Sequence, residues 1–143
     1  MIVKFFIPWT VTPKGNSKKI VRFGKFTKLI EPKRSRDNAN ALILLAGQHR
    51  PDKPMEGPIM VTYRFQFAWR KSETKKRRAE SEQPHDVRPD LGNLCKQLDD
   101  ALESAGFFHD DAQIASYGDT HKVWTNTPGV DVRIETLSER NIS

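Results

Sequence analysis

Asp90-Leu91-Gly92-Asn93-Leu94-Cys95-Lys96-Gln97-Leu98-Asp99-Asp100-Ala101-Leu102 decides the fold. Within and just beyond it, Leu91, Leu94, Cys95, Leu98, Leu102 and Ala105 recur at helical spacing, the apolar face of a helix over 91–104. Asp90 occupies the position that aspartate favours as an N-cap, and Gly106 is the natural stop. His109-Asp110-Asp111-Ala112-Gln113 follows directly, a carboxylate pair in turn chemistry.

Upstream, Arg70 to Gln83 holds Lys71, Lys75, Lys76, Arg77 and Arg78 and no large apolar residue, which predicts a mobile basic loop over 70–84. Ile59 to Trp69 is the clearest strand, with Val61, Tyr63, Phe65 and Phe67 alternating against Thr62, Arg64 and Gln66. A further helix is expected over 34–49. Its apolar stripe is Ala39, Leu42, Ile43, Ala46 and Gly47, and Ser35 or Asp37 is its cap. Lys18 to Lys28 alternates basic and apolar residues around Gly24, a hairpin with a positive face, after turn chemistry at Pro13–Ser17. Ile2 to Ile7, closed by Pro8, reads as a strand.

Downstream, Gln113 to Trp124 and Val130 to Thr136 read as two closing strands, with Asn126–Gly129 as the turn. The order implies an α+β fold: a mixed, mostly antiparallel sheet packed against two main helices, in a single domain over 1–143.

The 143 residues suffice for a core, although 36% hydrophobic and 29% charged content make it a modest one. The net charge of +6 favours a polyanionic partner such as nucleic acid. Cys95 is the sole cysteine, which excludes a disulfide framework and a cysteine-rich zinc site. No apolar run reaches the ~18–20 residues of a membrane span, so a cytoplasmic setting is expected.

Acids grouped in a basic chain suggest a place where a divalent cation is held beside a polyanion. Each residue alone has a plainer reading. Asp90 is a cap, Lys96 is solvated or paired with Asp100 four residues on, and Asp110-Asp111 is a turn. Together they are harder to dismiss, because adjacent aspartates repel unless a cation lies between them. His85 and His109 lack a second histidine at metal-ligand spacing. The basic runs, Lys14 to Arg36 and Arg70 to Arg78, flank Trp9, Phe23, Phe26 and Trp69, and two such runs favour phosphate contacts. Candidate nucleic-acid contacts are Lys14, Lys18, Lys19, Arg22, Lys25, Arg70, Lys71, Lys75, Lys76, Arg77, Arg78 and Arg88.

Across most of its length the chain resembles the RusA-type Holliday junction resolvases. The resemblance begins at Ile7-Pro8, Pro13-Lys14-Gly15 and Gly57-Pro58-Ile59. Its core is Asp90-Leu91-Gly92-Asn93-Leu94-Cys95-Lys96, Asp100-Ala101-Leu102 and Asp110-Asp111-Ala112-Gln113, followed by Pro128-Gly129-Val130. The resemblance implies an endodeoxyribonuclease that makes paired cuts in four-way DNA junctions in bacteria or phage-infected cells. It implies Mg²⁺ (Mn²⁺ as the alternative) on Asp90 and Asp111 with Asp110 as neighbour, and Lys96 at the scissile phosphate. The departure is Gly92, where the family places another aspartate. The alternative is therefore a non-catalytic protein that binds branched DNA.

A helix over 91–104 spans about 20 Å. The return from Gly106 to Asp111 covers at most roughly 20 Å when fully extended. Asp90 and Asp111 then meet either by a straight path back along the helix or across a two-fold homodimer, which also suits a substrate of near two-fold symmetry.

Overall fold

A computed structural model describes residues 1–8, 19–23, 26–30, 33–79 and 82–137, with side chains at 1–8, 37–79 and 82–137. The elements run β1 (Ile2–Pro8), β2 (Lys19–Phe23), β3 (Phe26–Ile30), α1 (Lys33–Gly47), β4 (Ile59–Ala68), α2 (Lys75–Arg78), β5 (Gln83–Pro84) and α3 (Leu91–Ala105). A 3-10 turn (Asp111–Gln113), β6 (Ile114–Tyr117), β7 (His121–Thr125) and β8 (Gly129–Thr136) complete the order.

β4 is the spine of a six-stranded mixed sheet in the order β1-β8-β4-β7-β5, with β6 also on β4. β8 runs antiparallel to both β1 and β4, whereas β6 and β7 run parallel to β4. The period-two alternation of β4 becomes two chemically distinct faces, as strand geometry requires. Val61, Tyr63, Phe65 and Phe67 are buried, while Thr62 and Arg64 are half-exposed on the other face. Leu42 and Ala46 of α1, together with Leu94, Leu98, Ala101 and Leu102 of α3, complete the same core. Full burial of each leucine contributes roughly 1.5–3 kcal/mol, which fixes α3 against the sheet. The α+β architecture expected from the sequence is the one observed.

α3 starts and stops where its sequence directs. Asp90 is the N-cap, and Gly106, at φ 89°, takes the left-handed conformation that donates back to Glu103 O and Leu102 O. The antiparallel β2–β3 pair matches the expected hairpin, with Phe23 opposite Phe26.

Three local expectations need correction. Helix α1 begins at Lys33, so Ser35 and Asp37 lie inside it and neither caps it. Segment 70–84 holds a helical turn at Lys75–Arg78, capped by Thr74 Oγ1 accepting from Arg77 N at 3.2 Å, and the short β5. Arg78 closes this segment on itself by donating to Arg70 O at 2.7 Å and Lys71 O at 2.8 Å. The single strand expected over Gln113–Trp124 is instead a 3-10 turn and two strands, broken after Tyr117. At the break Gly118 N–H donates to Val61 O at 2.8 Å, and a Cβ there would meet Thr62 Oγ1 at 2.0 Å. Two residues on, Thr120 Oγ1 accepts from Tyr63 N at 3.1 Å, a side chain standing in for a ladder carbonyl.

Candidate metal and DNA site

After α3 ends, the chain turns back beside its last turn. Asp110 caps the 3-10 turn, its Oδ1 accepting from Ala112 N at 2.8 Å. Gln113 closes the box by accepting from Asp110 N at 3.0 Å and His109 N at 2.7 Å. Its amide then donates to Met55 O and Gly57 O, each at 2.9 Å, so the turn is fastened to the loop before β4. Asp111 N donates to Glu103 Oε1 at 2.9 Å. Carboxylate oxygens of Glu103, Asp110 and Asp111 consequently lie within 4.8 Å of one another, on exposed or half-exposed residues.

Asp90 is not in this group. It precedes Glu103 by thirteen residues, a helical rise of about 20 Å. The return path ties Asp111 to Glu103 at the far end of the helix, and the grouped carboxylates are those of Glu103, Asp110 and Asp111. Asp90 is the N-cap residue, but its carboxylate makes no capping hydrogen bond. It lies instead within electrostatic reach of Lys122. That lysine secures the loop before α3 by donating to Val87 O and to Pro89 O, the latter at 2.8 Å. Its desolvation lowers its pKa, and Asp90 and Asp86 counter that.

Between the two acidic positions runs a stripe on α3, exposed at Asn93, Lys96 and Asp100 and half-exposed at Glu103, at three- and four-residue intervals. Lys96 stands about 9 Å along the axis from Asp90 and about 10 Å from Glu103. Gly92 is exposed in the first turn, and a Cβ there meets nothing within 4 Å.

Of the basic candidates, Arg70, Lys71, Lys75, Lys76 and Arg77 are exposed on and around α2, and Arg88 is exposed just before Asp90. Arg70 also lies over the Trp124 ring, 5.3 Å from its centroid. Arg78 is half-buried and holds the segment's own carbonyls. Lys19 and Arg22 belong to β2, whereas Lys14, Lys18 and Lys25 fall outside the described residues.

Residues 8–135 match the family model described as endodeoxyribonuclease RusA. The chain belongs to the RusA endodeoxyribonuclease family. It is also 26% identical over 141 residues to the uncharacterized protein YqaN of Bacillus subtilis (strain 168), covering 95% of this chain and 97% of that one. RusA membership gives the motif residues a nuclease context: Asp90, Lys96, Asp110 and Asp111 all lie inside the matched span.

Two acids of this RusA chain escaped the sequence reading. Glu103 stands in the sequence only as another acid three residues beyond Asp100, and its tie to Asp111 needs the turn geometry. Asp99 lies on the buried face of α3, 7% exposed, and accepts from Tyr63 Oη at 2.6 Å and from Tyr117 Oη. Burial raises its pKa, while the two phenol hydrogen bonds act the other way.

Proposed function

We propose that this protein is a structure-specific endonuclease that resolves four-way DNA junctions by Mg²⁺-dependent paired cleavage, acting as a homodimer in the bacterial or phage-infected cytoplasm. The observation that carries this reading is the RusA match across 8–135, which encloses both acidic positions and the lysine between them. The donor set fits the ion: hard carboxylate oxygens suit Mg²⁺ or Mn²⁺, which also retain several waters. Oxygens around one such ion are at most about 4.2 Å apart, close to the spread of the Glu103, Asp110 and Asp111 oxygens.

Asp111 and Asp90 would hold the ion, with Asp110 beside them. When bound, it supplies Lewis acidity toward the phosphate and lowers the pKa of water. Lys96 stabilises negative charge developing on the phosphoryl oxygens. Arg70, Lys71, Lys75, Lys76, Arg77 and Arg88 grip the DNA backbone, with Lys14, Lys18, Lys19, Arg22 and Lys25 on the preceding segment and Arg78 bracing the loop. Such contacts read branched shape more than base sequence. Because Asp90 lies far along α3 from Asp111 in one subunit, the two aspartates would meet across a dimer.

The second reading, a branched-DNA-binding protein that does not cut, is favoured by one observation: position 92 has no carboxylate. Labelled four-way junction and linear duplex, incubated with Mg²⁺ and then with EDTA, separate the two. Paired nicks on the junction alone support the nuclease. Tight junction binding without nicks supports the second reading, and no preference for the junction rejects both.

A further inference from the structure

Asp99 sits between Leu98 and Leu102 on the core side of α3, where a carboxylate is costly unless its oxygens are satisfied. Both are taken by phenols, from Tyr63 in the middle of β4 and from Tyr117 at the end of β6. Tyr63 is wholly buried, so its hydroxyl needs an acceptor. Tyr117 has no such need, being 49% exposed with a ring that adds little to the core. Its backbone is fixed too, because the adjoining Gly118 is bonded to Val61 O and closed against Thr62. An exposed aromatic ring is thus anchored at its hydroxyl and at its main chain.

Through Asp99 the ring is tied to α3 one turn before Glu103 of the carboxylate group, about 6 Å along the axis. Asp111 acts electrostatically on both Asp99 and Tyr117. A flat ring near the carboxylates where the proposed ion would meet a phosphate matches the face of a base, and base–aromatic stacking tolerates any sequence.

We propose that the exposed face of Tyr117 stacks on a nucleobase of the DNA strand seated at Asp111, with Asp99 as the positioning residue that fixes the ring. The inference rests on the DNA-binding part of the proposed function and is independent of cleavage. A branch point interrupts the stacking of base pairs and so exposes base faces that such a ring can cover.

The test is photocrosslinking of a four-way junction carrying 5-iodouracil near the crossover, with Ca²⁺ in place of Mg²⁺ so that carboxylates and phosphate can share a cation, and with the modified peptide mapped. The crosslink is expected at Tyr117, with reduced yield in Asp99→Asn. Tyr117→Phe and Tyr117→Leu both remove the tethering hydroxyl and differ in the aromatic ring, with melting temperatures showing that both are folded. The Leu variant is expected to bind about tenfold more weakly than the Phe variant, at the low end for removal of one stacked ring. Crosslinks mapping elsewhere, or equal binding by the Phe and Leu variants, would overturn the proposal. A junction that crosslinks at Tyr117 without being cut leaves the stacking role standing and removes the nuclease. Cutting with equal binding by the Phe and Leu variants does the reverse.

Discussion

Asp111 donates its main-chain N–H to Glu103 Oε1 at 2.9 Å, tying the turn after α3 to the last turn of that helix. The bond uses the backbone of Asp111 and leaves its carboxylate in the group with Glu103 and Asp110. Asp111→Asn keeps the backbone bond and the side-chain volume but removes the charge. We expect junction nicking in Mg²⁺ to fall by roughly a hundredfold or more, with binding in EDTA unchanged. Retained nicking would reject Asp111 as a ligand.

Gly92→Asp is expected to improve the protein in two separable ways. The site is open, so the new side chain meets no obstacle. Replacing glycine in a helix and placing a negative charge in its first turn each contribute a few tenths to about 1 kcal/mol. The melting temperature should rise by several degrees. If position 92 also serves the ion, the nicking rate rises as well; a stabilised variant with an unchanged rate would confine the effect to the helix.

α3 and β4 were legible because each states its period over a long run, and burial of Leu94, Leu98, Val61 and Phe65 agrees with that period. The break after Tyr117 was not, because it depends on Gly118 and Thr120 meeting a distant strand. The site divides in the same way. Asp110 and Asp111 are neighbours in sequence, so their proximity was readable. The length of 91–111 left both a return to Asp90 and a dimer open, and the tie of Asp111 to Glu103 appears only once the turn is folded. Asp99 was hidden because a carboxylate among leucines carries no sign of its partners until Tyr63 and Tyr117 are folded against it.

His85 predicts an acid sensitivity. It is 6% exposed and stacks on Trp124 at 4.0 Å. Burial, then Lys122 and Arg70, hold its pKa below the ordinary 6.5. As pH falls through 6.5 the unfolded chain takes up a proton that the folded one refuses, so stability falls until pH passes below the folded pKa. Urea unfolding at pH 7 and pH 5 should show a larger loss for the natural protein than for His85→Phe. Equal losses would place the acid sensitivity elsewhere.

The exposed cations of α2 predict how binding responds to salt. Replacing Lys75, Lys76 and Arg77 together with Gln should weaken junction and duplex binding alike. The slope of log K against log salt should become shallower by about 0.9 for each phosphate that is no longer neutralised. Arg77 lies 3.9 Å from a half-exposed Glu73, a long surface contact contributing little to stability, so the fold should survive the change. An unaltered slope would mean that α2 faces away from the DNA.

Where the two aspartates meet can be decided by mixing inactive proteins. Asp90→Asn and Asp111→Asn are each expected to be unable to cut. If every site takes Asp90 from one subunit and Asp111 from the other, a mixed dimer has one site with both aspartates intact and one with neither. Mixing equal amounts under conditions that exchange subunits should therefore restore nicking on one strand of the junction, without the paired second cut. If each site lies within a subunit, every site in the mixed dimer still lacks one carboxylate and nothing is restored. The separation of Asp90 from Glu103 by about 20 Å along α3 favours the first outcome. A mixture as silent as its components, with exchange verified by size-tagged subunits, would dismiss the shared site.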